Sequence, residues 1–277
     1  MNPASRERYQ RAIDGAHDAG KLALGYFDNN VAVEWKQNDT PVTVADRKAE
    51  ELLRSRLLGL FPQDSFLGEE SGTVKGSSGY QWIIDPIDGT RSFVRGIPLW
   101  GTLVGLEYQG QPVAGVCYLP AFGKEGQTFH ALQGNGAYRD QTRISVSKVK
   151  TLEESQVFYS SLSWFMESGV KEAFLDITHR SQRQRGFGDF YGFMLVAQGS
   201  GEMMIEYGVS PWDVAALLPI IEEAGGTFTD WDGNRSIYRP DILASNGVMH
   251  ASTLELLRTK RTTDFKPDVV KHRQHIT

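Results

Sequence analysis

The stretch that most constrains this chain is Trp82 to Phe93, which reads WIIDPIDGTRSF. Trp82-Ile83-Ile84 is an apolar run of the kind that forms a buried strand, ending at Asp85. Pro86 has no N–H to offer a sheet ladder, so the chain is expected to leave the sheet there as a turn. Asp85 and Asp88 flank that turn and can converge on one point. Gly89 permits close backbone approach, and Thr90 can open a short helix. Carboxylates beside open backbone N–H groups suit a hard cation that bridges to a phosphate. Asp-Pro or Asp-Gly alone would read as ordinary turn punctuation. Two acids, a proline, a glycine and a hydroxyl packed between Asp85 and Thr90, directly after a buried strand, point to a site instead.

Composition bounds the rest. The chain has 277 residues, 40% of them hydrophobic, enough for one large domain or two closely packed subdomains. A net charge of −5 disfavours nucleic acid as a partner. No apolar run approaches a membrane span, so no membrane partner is expected, and the charged start reads as a helix rather than a signal peptide. The single cysteine, Cys117, lies in a strand-like run and reads as a buried thiol in a reducing, cytoplasmic protein.

In chain order, Ser5 is placed to cap a helix reaching about Phe27, with Ile13, Ala16, Gly20, Leu24 and Phe27 on its apolar face. Val31 to Trp35 alternates like a strand, and Lys36 to Thr40 reads as a polar loop. Thr43 can cap a second helix to Leu60, with Leu52, Leu53 and Leu57 inward and Asp46 at its third position. A strand at Ser65–Leu67 leads to Gly68, Glu69 and Glu70, and Thr73 to Gly79 reads as a connector. Strands are expected over 100–108, 112–119, 128–132, 136–139, 142–146, 156–159, 201–205, 227–229 and 242–244. Helices are expected over 164–177, 191–197, about 211–224 and 248–258, with a polar tail over 261–277. His272 and His275 in that tail read as solvated.

DPIDGT after an apolar strand closely resembles the signature of the inositol monophosphatase family. Further matches follow the family's order: Val42-Thr43-Val44-Ala45-Asp46, Gly68-Glu69-Glu70-Ser71, Trp212-Asp213-Val214-Ala215-Ala216 and Glu223-Ala224-Gly225-Gly226. The resemblance implies an α+β fold, a layered αβαβα sandwich. One domain would contain two subdomains, 1–150 and 151–260, with the site between them. It also implies a Mg2+-dependent phosphate monoester hydrolase with two to three ions, a small-molecule phosphate substrate and a homodimeric assembly.

The roles it implies are specific. Glu69, Asp85 and the Ile87 carbonyl would hold one metal; Asp85, Asp88 and Asp213 would hold a second. Glu70 would support Glu69, and Lys36 would lie near a third ion. Asp46 and Thr90 would orient the attacking water, and the Gly89 and Thr90 amides would cradle the phosphate.

The segments Gly89 to Leu103 and Arg185 to Phe193 are most similar to the family's histidinol-phosphatase branch. Arg91, Asp189 and Glu206 are the substrate contacts this implies, beside Asp88 and Asp213. Histidinol phosphate carries an ammonium and an imidazole, which two carboxylates can pair with, whereas inositol offers only hydroxyls. Asp189 can equally cap the helix near Tyr191. The alternatives are an inositol-1-monophosphatase or related phosphatase, and a regulatory binding protein that would be expected to lose a metal carboxylate.

Overall fold

The computed structural model describes residues 3–27, 33–35, 41–167 and 169–262. Lys36, the loop around it and the tail histidines lie outside the described residues. The chain opens with α1 (Pro3–Leu24), a hairpin of β1 (Val33–Trp35) and β2 (Pro41–Thr43), and α2 (Val44–Leu60). Ser5 sits inside α1 and bonds the Tyr80 hydroxyl at 3.0 Å, so it is not the cap. The buried stripe of α1 is made of small residues, Ala12, Gly15, Ala16, Ala19, Gly20 and Ala23, while Leu24 is exposed. Close packing selects them: a Cβ on Gly20 would come within 2.6 Å of the Tyr118 ring. Thr43 caps α2 as expected, in a capping box with Asp46.

Next come β3 (Ser65–Gly68), β4 (Gly72–Val74), β5 (Tyr80–Asp88) and the single turn α3 (Thr90–Phe93). Pro86 does not end the strand: β5 runs on to Asp88 through a register irregularity between Asp85 and Asp88, a place where a missing ladder N–H is tolerated. β6 (Gly101–Tyr108), β7 (Gln111–Leu119), β8 (Gln127–Leu132), β9 (Ala137–Arg139) and β10 (Thr142–Ile144) follow as an antiparallel meander. Together they make an eight-stranded sheet in the order β10-β9-β8-β7-β6-β5-β3-β4.

The second half starts with β11 (Gln156–Tyr159), α4 (Leu162–Glu167), α5 (Lys171–Arg180) and β12 (Arg183–Arg185). The single helix expected over 164–177 is two, because Gly169 takes φ +79° between them. α6 (Asp189–Ala197), β13 (Met203–Tyr207), α7 (Pro211–Val214) and α8 (Leu217–Glu223) come next. Here too one expected helix is split; Pro219, near the start of α8, cannot donate back into the preceding turn. β14 (Thr227–Thr229), β15 (Asp241–Ser245) and α9 (His250–Thr259) complete a five-stranded sheet in the order β12-β11-β13-β15-β14.

Three apolar cores separate the layers. α1 and α2 pack on one face of the large sheet through Ala49, Leu53, Trp82 and Trp100. α6 and α8 fill the space between the sheets with Phe190, Phe193, Leu217 and Ile220. α5 and α9 cover the outer face of the small sheet through Phe174, Trp231 and Leu257. The result is the expected α+β sandwich, αβαβα. Cys117 is fully buried in β7.

The middle contact decides where Asp213 sits. Gly105 on β6 and Gly115 on β7 face Ala215 and Ala216, at the joint between α7 and α8. A Cβ on Gly115 would come within 1.9 Å of the Ala216 carbonyl oxygen, which is backbone and cannot swing aside. Gly115→Ala is expected to cost about 1–3 kcal/mol or more by overpacking. Thermal unfolding should then show a midpoint several degrees lower. An unchanged midpoint would show that this joint yields freely.

Candidate active site

Segments from both halves of the chain meet where β5 ends. Asp85, Asp88 and Asp213 each bring a carboxylate oxygen within 4.8 Å of the other two. In a regular strand, residues three apart face opposite sides. The irregularity between Asp85 and Asp88 removes that opposition and lets both carboxylates converge. Each acid is held by one backbone amide. Asp85 Oδ1 accepts from Ile87 N at 3.0 Å, Asp88 Oδ2 from Phe190 N at 2.8 Å, and Asp213 Oδ2 from Ser210 N at 2.7 Å. Asp213 is the third residue of α7 and closes a capping box with Ser210, with Pro211 beginning the helix.

Asp46 is held in the same way. Its Oδ2 accepts from Thr43 N at 2.8 Å and Thr43 Oγ1 at 2.6 Å, and Oδ1 lies 3.3 Å from Thr90 Oγ1. Thr90 Oγ1 also reaches the Ile87 carbonyl at 3.0 Å. Gly89, in the left-handed region at φ +85°, turns the chain so that Thr90 starts α3. Glu69 and Glu70 are half-buried on the loop after β3. Glu69 stands outside the tight trio, yet its charge acts on Asp85 and Asp213.

Asp88 and Asp213 line a cleft of about 600 Å³. Arg91, Asp189 and Glu206 also line it, with Trp164 and Phe187 among its apolar walls, and the charge of Asp189 acts directly on Asp88. Glu206 is buried; Ser160 Oγ donates to its Oε2 and Tyr207 N to its Oε1 at 2.9 Å. Asp189 is exposed to the cleft and is the first residue of α6, where no side-chain cap bond forms. The capping reading of Asp189 is therefore set aside. Its backbone is left-handed, φ +52°, an uncommon state that aspartate tolerates better than most residues.

Crowded carboxylates resist ionisation. Burial, then the charges of Glu69, Asp88 and Asp213, hold Asp85 well above the usual carboxylate range. Burial, then Asp189 and Asp213, do the same to Asp88. Burial pushes Asp213 to about 7 against the lowering effect of the Ser210 amide. Burial lifts Glu206 to about 8, opposed by the bonds from Ser160 and Tyr207. An all-oxygen set whose members repel one another is what a hard divalent cation neutralises, so the residues present fit such an ion.

Comparison with known proteins bears on what this arrangement is. The inositol monophosphatase family matches the chain over residues 5–262. The chain belongs to the inositol monophosphatase family. It is 40% identical over 242 residues to a histidinol-phosphatase of Chlorobaculum parvum, covering 87% of this chain and 92% of that one. It is 42% identical over 240 residues to a histidinol-phosphatase of Streptomyces coelicolor, covering 83% and 89%. Among solved structures, the Thermotoga maritima IMPase superposes with a TM-score of 0.82 at 28% identity, covering 92% of this chain and 98% of that one.

In this member of the inositol monophosphatase family, several side chains at the site carry no readable motif. Ser160 and Trp164, just after β11, line the cleft because β11 pairs with β13, which carries Glu206 and leads to Gly208. Glu50 is buried on α2 and accepts the amides of Glu70 and Ser71 at 2.8 and 2.7 Å. Its one signal in the sequence is a spacing of four from Asp46, one helical turn.

The raised Glu206 sets a pH dependence. An unfolded glutamate titrates near about 4.3, so between that value and about 8 the folded, metal-free protein holds a proton the unfolded chain has lost. The stabilising contribution is complete at the acid end and disappears as pH rises through the folded value. The melting midpoint of chelator-treated protein should therefore fall from pH 5 to above about 8, and Glu206→Gln should flatten the slope. A slope identical in wild type and Glu206→Gln would remove Glu206 as its source.

Proposed function

We propose that this protein is a Mg2+-dependent phosphate monoester hydrolase whose substrate is histidinol phosphate. The observation that carries the proposal is one cleft in which Asp88 and Asp213 of the carboxylate trio share the lining with Asp189 and Glu206. The histidinol-phosphatases of C. parvum and S. coelicolor support the substrate choice.

Asp85, Asp88 and Asp213, with Glu69 and the Ile87 carbonyl, would hold two to three Mg2+ ions. Bound there, Mg2+ supplies Lewis-acid stabilisation of phosphoryl charge and makes the attacking water more acidic. The chain's own residues do the rest. Thr90 Oγ1 has one proton and two acceptors in reach, the Ile87 carbonyl at 3.0 Å and Asp46 Oδ1 at 3.3 Å; donated to Asp46, it would leave the hydroxyl lone pairs to accept from the attacking water. Thr43 pins the other oxygen of Asp46, and burial raises its pKa, so a carboxylate able to take up a proton stands behind Thr90. The Gly89 and Thr90 amides, at the start of α3, would bind phosphate oxygens directly. Glu70 would back up the acidic loop.

In the same cleft, Asp189 and Glu206 would pair with the ammonium and imidazole of the substrate, and Arg91 would be a further substrate contact. Trp164 and Phe187 give a flat apolar wall suited to a planar ring. We read the halves 1–150 and 151–260 as two subdomains sharing this one site, in a cytoplasmic homodimer acting on a small molecule without nucleic acid.

Two results test the reading. Phosphate release should stop with a chelator and return with Mg2+, and Asp88→Asn should lower turnover by about a hundredfold or more. Full activity in rigorously metal-free protein would refute the metal role. In a substrate panel, histidinol phosphate should be preferred over inositol phosphates. Asp189→Asn should lower kcat/KM about ten- to a hundredfold for histidinol phosphate and leave glycerol phosphate nearly unaffected. A wild-type preference for inositol phosphate would overturn the substrate and leave the phosphatase standing.

A further inference from the structure

We propose that Glu50 is a positioning residue for the metal site, clasping the acidic loop so that Glu69 is aimed before any ion arrives. Asp46 and Glu50 lie one turn apart on α2 and are both about 1% exposed. Asp46 faces Thr90, while the two oxygens of Glu50 take the amides of Glu70 and Ser71, one each. On the other side of Glu69 the loop is tied to the sheet, since Glu69 N donates to the Ile84 carbonyl at 3.2 Å. Glu69 thus sits between a sheet bond and a buried carboxylate.

Gly68 makes the clasp possible. A Cβ at that position would lie 2.5 Å from the Glu50 carboxylate, so the loop can close on Glu50 only with glycine there. Glu50 touches none of the Asp85, Asp88 and Asp213 carboxylates that could hold an ion. Its effect on the site runs through the loop backbone alone. One rigid helix therefore fixes the distance between the Thr90 region and the loop bearing Glu69. This inference rests on the metal reading above and adds a residue to it.

The test is Mg2+ binding without substrate, by titration calorimetry and by the metal-induced rise in melting midpoint. Glu50→Gln keeps the shape but sets an amide NH2 against one of the two loop amides. Gly68→Ala leaves Glu50 in place and displaces its flexible end. Both should weaken Mg2+ binding by about tenfold or more, as loss of outer partners of metal ligands does. The KM for substrate at saturating Mg2+ should stay close to wild type. Asp64→Asn is the stability control, because Asp64 is a buried carboxylate bound by Arg8, Ser78 and Trp82. It should lower the melting midpoint and leave Mg2+ affinity intact.

Wild-type affinity in both Glu50→Gln and Gly68→Ala overturns the clasp, as does an equal loss in Asp64→Asn. Wild-type protein that takes up no Mg2+ is a different result and overturns the metal reading itself. If Glu50→Gln does not fold, hydrogen exchange on metal-free wild type decides. The amides of Glu70 and Ser71 must already be protected, and fast exchange there overturns the proposal.

Discussion

Asp85, Asp88 and Asp213 are held within 4.8 Å of one another, with Asp46, Glu69 and Glu206 close enough to add to the repulsion. Two like charges 4 Å apart repel by about 4 kcal/mol at the effective dielectric of a protein surface. Burial adds a desolvation cost, which is the largest effect on Asp85, Asp88, Asp213 and Glu206 alike. Left to themselves these side chains would spread into solvent. The rest of the structure keeps them from doing so, and a hard divalent cation is the kind of partner that such an all-oxygen set fits.

The scaffold uses the same local device twice. Asp46 and Asp213 are each the third residue of a helix whose first turn is closed by a capping box, with Thr43 and Ser210 as caps. In each case one carboxylate oxygen is tied to the cap amide and the other is left for the site. Pinning an acid through backbone amides costs no further charge and leaves little side-chain freedom to lose on binding. Asp88 is tied across the two halves instead, through the Phe190 amide. That one bond joins the carboxylate trio to the helix that starts with Asp189, so the two share a support. The left-handed backbone of Asp189 sits at this joint, where strain is tolerated for position.

Much of the site was legible because its parts are local. The cap Thr43 with Asp46, the helix opened by Pro211 and the turn glycine at Gly89 are each decided within a few residues, and the structure has them as read. The errors came from longer range. Leu24 looks like part of the apolar face of α1 but is exposed, while Ile13, Ala16 and Gly20 of that face pack inward and Gly20 lies too close to the Tyr118 ring for a Cβ. Pro86 looks like a strand end, yet pairing of β5 with β6 resumes at Asp88 and carries the strand past it. Periodicity alone did not separate α4 from α5 or α7 from α8, since both breaks lie in otherwise helical runs.

The sequence by itself pointed to the family through residue types at short fixed spacings, and that resemblance in turn implied the layered fold and the set of acids. Tertiary structure alone decided which groups hold those acids in place. Asp88 reaches Phe190 across 102 positions, and Ser160 reaches Glu206 across 46. Glu50 reaches the loop after Gly68 across 20, a contact no local pattern announces. Such contacts depend on how the two sheets are stacked and on how closely glycines such as Gly68 and Gly115 let backbones approach. Spacing along a chain carries no information about either, because side chains far apart in sequence are brought together only by packing the whole core.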